Sequence, residues 1–480
     1  MKAKIFAEEN KKWWTLGAVS VGLFMIMLDN TVVNVALNAI QTSLKLKTSE
    51  LEWVVAGYAL TFGAFMLTGG KLADLFGRRL IFVIGLIIFT GSSLACGLAG
   101  GPNMLIAARV VQGVGAALMN PATLSIITVT FPPRQRGMAI GIWAGVSALA
   151  LAIGPLLGGI ITERINWNWI FFINVPVGIL GIIAAFAFIT ESRDTSKEQR
   201  PDIPGLVTST LGLFSLTYGL IEANNYGWGS TRILLAFAIA AVSLAIFIYL
   251  ELHQRLPMLD LSLFKNRTFA GANTVMLLLG LAMFGVFFYV SLYLQKILGY
   301  SPIQTGASFL PWTLLIVAIA PWAGRASDRV GPRWLVTSGM VLVASSLFLF
   351  SRVGLTESFW GLLPAMILGG VGMSLCMSPT TATAMGSVPR EKAGVGSAVL
   401  NSMRQVGGSL GIALMGSIVL AATGTSARPN PNDYLTGFHH ALEVATLIAL
   451  AGAAIGAATL RKVHHAEPAG APSSVPAVEI

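Results

Sequence analysis

The sequence predicts an all-α polytopic membrane protein with fourteen transmembrane helices, and three observations carry that reading. Of 480 residues, 55% are hydrophobic and only 11% are charged, where a soluble domain carries roughly 25% charge. The mean hydropathy is +0.74. The apolar residues also gather in runs close to the ~20 residues that one bilayer crossing needs. Such a surface excludes a soluble enzyme. Cys96 and Cys376 lie inside apolar runs without disulfide-type or metal-type spacing. The net charge of +10 comes from basic residues scattered singly, not from a basic stripe interleaved with aromatics, so nucleic acid is not an expected partner.

In order along the chain, the first six spans fall at about 13–37, 52–70, 80–99, 103–128, 138–161 and 169–190. Two follow at about 203–221 and 232–250. Six more follow at about 269–294, 304–323, 334–351, 359–384, 395–422 and 438–460. The first has a basic flank, but it runs about 25 residues without a small-residue cleavage site, so it reads as a helix and not a signal peptide. The stretch 461–480, rich in Ala, Pro and Ser, reads as a disordered tail.

Charge sets the expected orientation. With the N-terminus inside, the inner segments hold 22 Lys and Arg and the outer loops hold 7. Short cytoplasmic loops are the ones enriched in Lys and Arg, so both termini are expected in the cytoplasm. The remaining two of the 31, Arg109 and Arg404, fall inside the fourth and thirteenth spans.

An internal repeat organises the spans. Gly-Lys-Leu-Ala-Asp-Leu-Phe-Gly-Arg-Arg at 70–79 recurs as Gly-Arg-Ala-Ser-Asp-Arg-Val-Gly-Pro-Arg at 324–333, Gly113-Val114-Gly115 recurs as Gly370-Val371-Gly372, and Pro133-Arg134 recurs as Pro389-Arg390. Three matches at one near-constant offset point to a duplicated unit. The expected domains are an N-terminal six-helix bundle (13–190), two inserted helices (203–250) and a C-terminal six-helix bundle (269–460).

The few polar residues inside the spans are the candidates for chemistry. Asp29 is read as the one carboxylate well inside a span. A charged Asp there costs about 2.5–3.5 kcal/mol on insertion scales, so it must face a cavity or a partner, and it is the candidate proton site; the alternative is a permanently paired structural acid. Arg109 is its expected partner, because both lie in the outer third of a ~30 Å core by helical rise. Arg109, Gln112, Ala116 and Asn120 form one polar or small stripe on the fourth span, and Asn401, Arg404 and Gly408 form another on the thirteenth. Phe284, Phe287, Phe288, Tyr289 and Tyr293, with Trp312, are candidates for a flat apolar pocket, or else for lipid-facing and packing positions. Asn34 completes the candidate lining.

Between the second and third spans, Gly70 and Gly77 would supply the freedom of a tight turn. There Asp74 and Arg78 can pair across one helical turn, or Asp74 can cap a helix N-terminus; with the second copy at Asp328, the loop reads as a cytoplasmic gate. Gly154 and Gly158 form a GxxxG face beside Pro155 and Gly159, which suits close helix approach and a bend.

The gate loop at 70–79, the run from Arg109 to Ala117 and the segment Gly154–Gly159 together resemble the signature motifs of the major facilitator superfamily. Leu28-Asp29-Asn30-Thr31-Val32-Val33-Asn34-Val35-Ala36-Leu37 and Trp169-Ile170-Phe171-Phe172-Ile173-Asn174-Val175-Pro176 narrow the resemblance to its fourteen-span drug:proton antiporters, the QacA/EmrB-like group. The resemblance covers nearly the whole chain. It implies two six-helix bundles around a central cavity in the inner membrane of a bacterium, alternating access, and export of lipophilic compounds in exchange for protons; amphipathic cationic compounds are the expected cargo. It assigns coupling to Asp29 and Arg109, gating to Asp74 and Arg78, and the antiporter bend to Gly154 and Pro155. Departures at Asn38, Leu75, Ala150 and Asn168 remove none of the proposed proton groups. A dedicated exporter of a metabolite, lipid or siderophore is the alternative on the same fold. A membrane enzyme lacks a candidate nucleophile or paired carboxylates, no cofactor is called for beyond the proton, and no Gly-x-x-x-x-Gly-Lys-Ser/Thr loop offers an ATP site.

Overall fold

The structure, a computed structural model, describes residues 8–194, 201–389, 392–424 and 430–461. Fourteen of its helices are long and apolar enough to cross a membrane. In the first bundle α1 spans Glu8–Leu44, α2 Thr48–Phe76, α3 Arg78–Gly97, α4 Pro102–Thr130, α5 Pro133–Arg164 and α6 Trp169–Phe188. Two inserted helices follow, α7 (Ile203–Tyr226) and α8 (Thr231–His253). The second bundle holds α9 (Arg267–Lys296), α10 (Pro302–Ser308, continued as Leu310–Val330), α11 (Pro332–Phe350), α12 (Phe359–Gly386), α13 (Ala393–Thr423) and α14 (Pro431–Thr459). The fold is therefore all-α, two six-helix bundles with two added helices. The expected tail lies outside the described residues, except Arg461.

Local chemistry starts these helices where the chain enters the membrane. Proline opens α4, α5, α11 and α14, where its missing N–H is no loss. Asp202, Ser230, Asn266, Ser301 and Ser358 accept backbone N–H groups at the starts of α7, α8, α9, α10 and α12.

Lipid offers no hydrophobic gain for helix association, so close backbone packing at small residues must provide it. The repeated glycines do this twice. A Cβ at Gly115 of α4 would stand 2.7 Å from the Phe89 nitrogen on α3, and one at Gly372 of α12 would stand 2.8 Å from the Val343 nitrogen on α11. The duplication seen in sequence is thus a duplication of packing.

The gate loop differs from expectation. Helix α2 continues through Gly70 to Phe76, and a single residue, Gly77, breaks it with φ 125° before α3 begins. Its copy, Gly331, has φ 95° between α10 and α11. Gly70 is a helical residue near Pro121, not a turn. Asp74 does not cap α3 either. Glu191, which sequence reasoning missed, does so by accepting the Arg79 N–H at 3.0 Å and the Leu80 N–H at 3.1 Å, while Asp74 binds Arg78 at 2.9 Å.

The bundles meet from one end to mid-depth, where Gly63 of α2 packs against Gln405 and Val406 of α13. Near the end of α1, Ser291 of α9 donates to the Asn34 carbonyl at 2.6 Å and Gln295 to the Val35 carbonyl at 2.8 Å. Ile303 N–H of α10 donates to Glu163 of α5 at 2.9 Å. Gly159 packs on the Pro302 backbone and Gly306 on that of Pro155, each too close for a Cβ. Toward the other end Met138 of α5 and Trp322 of α10 are exposed. Helix α7 crosses the closed seam: Asn225 donates to Ser49 of α2 at 3.0 Å, and Asn224 to the Ser417 carbonyl of α13 at 2.6 Å. Helix α8 packs on α7.

The two gate-loop glycines therefore separate experimentally. Gly77→Ala forces a side chain into a left-handed backbone position and against Glu191, a strain of about 1–3 kcal/mol, and should lower the thermal unfolding midpoint in detergent. Gly70→Ala, whose Cβ would make an ordinary van der Waals contact with Pro121 and bring a helical gain of up to ~1 kcal/mol, should leave that midpoint unchanged or raise it.

Candidate functional site

The pairing expected from helical rise is present. Arg109 Nη1 lies 2.5 Å from Asp29 Oδ2, and Gln112, one turn beyond Arg109, closes a triangle: its Nε2 donates to Asp29 Oδ1 at 3.0 Å and its Oε1 accepts from Arg109 Nη1 at 2.8 Å. Arg109 Nε donates to the Val54 carbonyl of α2 at 3.0 Å, and the guanidinium stacks over the Tyr58 ring at 4.2 Å. The close approach of α2 and α4 that makes this possible rests on Gly113, where any Cβ would overlap Thr61 and the Tyr58 carbonyl. Asp29 is 2% exposed and Arg109 1%. Each charge is satisfied by the other, so neither stands unpaired in an apolar wall.

A recess of about 120 Å³ lies between the bundles beside this cluster. Asn30, Thr31 and Asn34 of α1 and Pro155 of α5 face it from the first bundle; Phe284, Phe287 and Met283 of α9, Thr313 of α10 and Arg404 of α13 face it from the second. Arg109 and Arg404 are the charged side chains of this lining, and no carboxylate is among its residues.

Of the expected lining, Asn34, Phe284 and Arg404 face this recess, and the others lie elsewhere. Trp312 is fully buried inside the second bundle, its ring against Phe287 and Phe350 and its N–H on the Met373 sulfur at 3.3 Å. Phe288 is buried against Tyr289. Tyr289 faces the seam, where it donates to Glu52 at 2.6 Å. Asn120 and Asn401 stay off the lining; Asn401 turns its carbonyl to Arg404 at 3.2 Å. Gln112 lies behind the wall, holding Asp29. Aromatic stripes read alike whether they line a cavity or fill a core, which is why the sequence did not separate them.

Among the described residues no carboxylate pairs with Arg404: its Nη2 reaches Asn401 and its Nε is buried without a partner. Asp74 and Arg78 form the expected pair at the open end. Asp328 lies on the last turns of α10, and its side chain is outside the described residues. Gly154 and Gly158 press α5 onto Thr31 and Val32 of α1, while Gly159 reaches α10; α5 runs through Pro155 as one helix.

Buried acids were missed at Asp202 and Glu251, at the ends of the inserted helices, and at Glu52 in the seam. Glu52 was read as the edge of the second span, but α2 starts four residues earlier, at Thr48, which carries Glu52 into the seam. The signal was the polar start Thr48-Ser49-Glu50 ahead of the apolar run.

Comparison with known proteins agrees with this geometry. Residues 19–412 match the Major Facilitator Superfamily. The tetracenomycin C resistance and export protein of Streptomyces glaucescens is 36% identical over 86% of this chain and 77% of its own length. The multidrug resistance protein Stp of Mycobacterium tuberculosis is 34% identical over 87% and 77%, and a puromycin resistance protein of Streptomyces alboniger 34% over 97% and 95%. Among solved structures, a bacterial homolog of the human lysosomal transporter Spinster, inward-facing and unoccupied, superposes with TM-score 0.68 at 17% identity, covering 95% of this chain and 98% of that one. An auto-inhibited POT family peptide transporter gives 0.70 at 15%, covering 96% and 99%. Identities that low speak for the fold alone. The chain belongs to the Major Facilitator Superfamily, as a multi-pass membrane transporter similar to that family's antibiotic-resistance and multidrug efflux members.

Proposed function

We propose that this transporter exports lipophilic small molecules from the cytoplasm in exchange for protons, by alternating access between the two bundles. The observation that carries this reading is the Asp29–Arg109–Gln112 cluster. It joins α1 to α4 at the cavity wall, and its one carboxylate is held by a cation. Protonation of Asp29 removes the counter-ion of Arg109, so α1 and α4 need no longer hold their relation within the first bundle. The Lys/Arg bias puts both termini in the cytoplasm, which makes the closed seam the outer end and directs the open mouth, with the Asp74–Arg78 loop, to the cytoplasm.

The cargo is read from the wall. Phe284, Phe287 and Met283 offer apolar and polarisable surface. The recess of about 120 Å³ is smaller than the ~300 Å³ of a drug-sized site, so such a cargo extends from it toward the open mouth. A cationic cargo meets one acid here, Asp29, and must displace Arg109 to reach it; a neutral lipophile meets the apolar wall directly. The names of the relatives, which concern resistance to tetracenomycin C, puromycin and other drugs, support a drug as cargo over a dedicated metabolite. One proton crossing ~150 mV releases about 3.5 kcal/mol, which for a neutral cargo sustains a gradient of a few hundredfold.

In inverted vesicles under an imposed pH gradient, the parent protein should accumulate a fluorescent lipophilic probe, and an uncoupler should abolish the uptake. Asp29→Asn should lose at least ~tenfold of the gradient-driven rate; equal transport would overturn the coupling role. Stability separates the pair from its function. Arg109→Ala leaves a buried charge uncompensated, at about 3–5 kcal/mol, and should lower the unfolding midpoint strongly. The double variant Asp29→Asn with Arg109→Gln should recover most of that midpoint but no proton-driven transport.

A further inference from the structure

Glu52 is fully buried in the closed seam. Its Oε1 accepts the Tyr289 hydroxyl of α9 at 2.6 Å. Gly416 of α13 lies directly against the carboxyl, too close for any Cβ. Oε2 is buried without a hydrogen-bond partner. The groups that face this carboxyl are Tyr289, behind it Tyr434 of α14, whose hydroxyl reaches the Tyr289 carbonyl at 3.4 Å, and Glu222 of α7, a second acid. On its own helix Glu50 turns away to the Lys47 N–H at 2.7 Å. Among the described residues no cation is paired with Glu52, in contrast to Asp29.

An ionised carboxylate in that place would have a single hydrogen bond, a bare oxygen and a like charge nearby, which is the most unfavourable way to bury a charge. The closed seam therefore suits the neutral acid. Parting the bundles at this end strips Tyr289 and Gly416 from Glu52 and admits water, which suits the carboxylate. We propose that Glu52 is a second proton-binding site, reached from the outer side when the bundles part, and that its protonation allows the outer seam to close. This rests on the alternating-access reading above. The proton at Glu52 latches a conformation, whereas the proton at Asp29 is the one exchanged for cargo.

The latch can be measured without cargo. Spin labels on Gly100→Cys in the first bundle and Thr356→Cys in the second, both exposed at the closed end, report seam separation in the full-length protein in lipid nanodiscs, with Cys96 and Cys376 replaced by Ala. As pH rises from about 5 to 9, the parent distance distribution should shift from closed to open. Glu52→Gln, a permanent mimic of the neutral acid, should stay closed throughout. Asp29→Asn should keep a pH-dependent shift. Glu52→Ala, which should also lose the shift, decides the matter if Glu52→Gln folds poorly. A parent distribution that does not change with pH, or a Glu52→Gln protein that shifts as the parent does, overturns the latch and leaves the export reading standing. Absence of drug transport by the parent overturns export and leaves the seam titration to judge the latch.

Discussion

The contact between Asp29 and Arg109 governs the rest of this structure, because two opposite charges kept from water can be tolerated only together. At 2.5 Å and almost no exposure, the pair fixes the rotation of α1 about its axis and its depth against α4. The Val54 carbonyl and the Tyr58 ring then tie Arg109 to α2. Three helices take their register from one guanidinium. A buried ion pair of this kind is weak evidence of net stability; in the proposed function it is where a single proton would act.

Around that cluster the glycines divide into two classes. Those inside each bundle, such as Gly115 and Gly372, bring backbones together permanently and occur in both copies of the duplicated unit. Those at Gly159 and Gly306 do the same across the seam, where the bonds made by Ser291 and Gln295 run to backbone carbonyls of α1. A seam held by glycine contacts and a handful of hydrogen bonds can separate by breaking those contacts, and doing so uncovers the buried Tyr289. Helix α7, bonded to α2 and α13 at once, spans that line, so the inserted pair is more than a lipid-facing addition.

Much of the site was legible because it consists of exceptions. Inside an apolar span a charge stands out, and helical rise alone placed Asp29 and Arg109 at one depth. Gly77 was legible because a turn that short demands positive φ. Glu52 was obscured by an uncertain helix start of four residues, which put a seam residue at the edge of its span. Glu191 was invisible as the cap of α3 because it lies more than a hundred positions away in the chain. Trp312 and Tyr289 were misplaced as lining for a different reason: one packs within a bundle and the other faces the seam, and both faces are as apolar in sequence as a cavity wall.

The sequence by itself determined the number of spans, the repeat of six, the polar residues that burial makes expensive, and the side on which basic loops cluster. All of these follow from the free energy of placing a residue type in hydrocarbon, which needs no knowledge of neighbours. Only the tertiary structure decided which face of each helix looks into the cavity, which lies in the seam and which meets lipid, and that one end is closed while the other is open. A membrane helix is apolar nearly all round, so its periodicity carries little direction. Direction comes from close packing at particular glycines and from the few hydrogen bonds between helices, and those exist only once the helices are together.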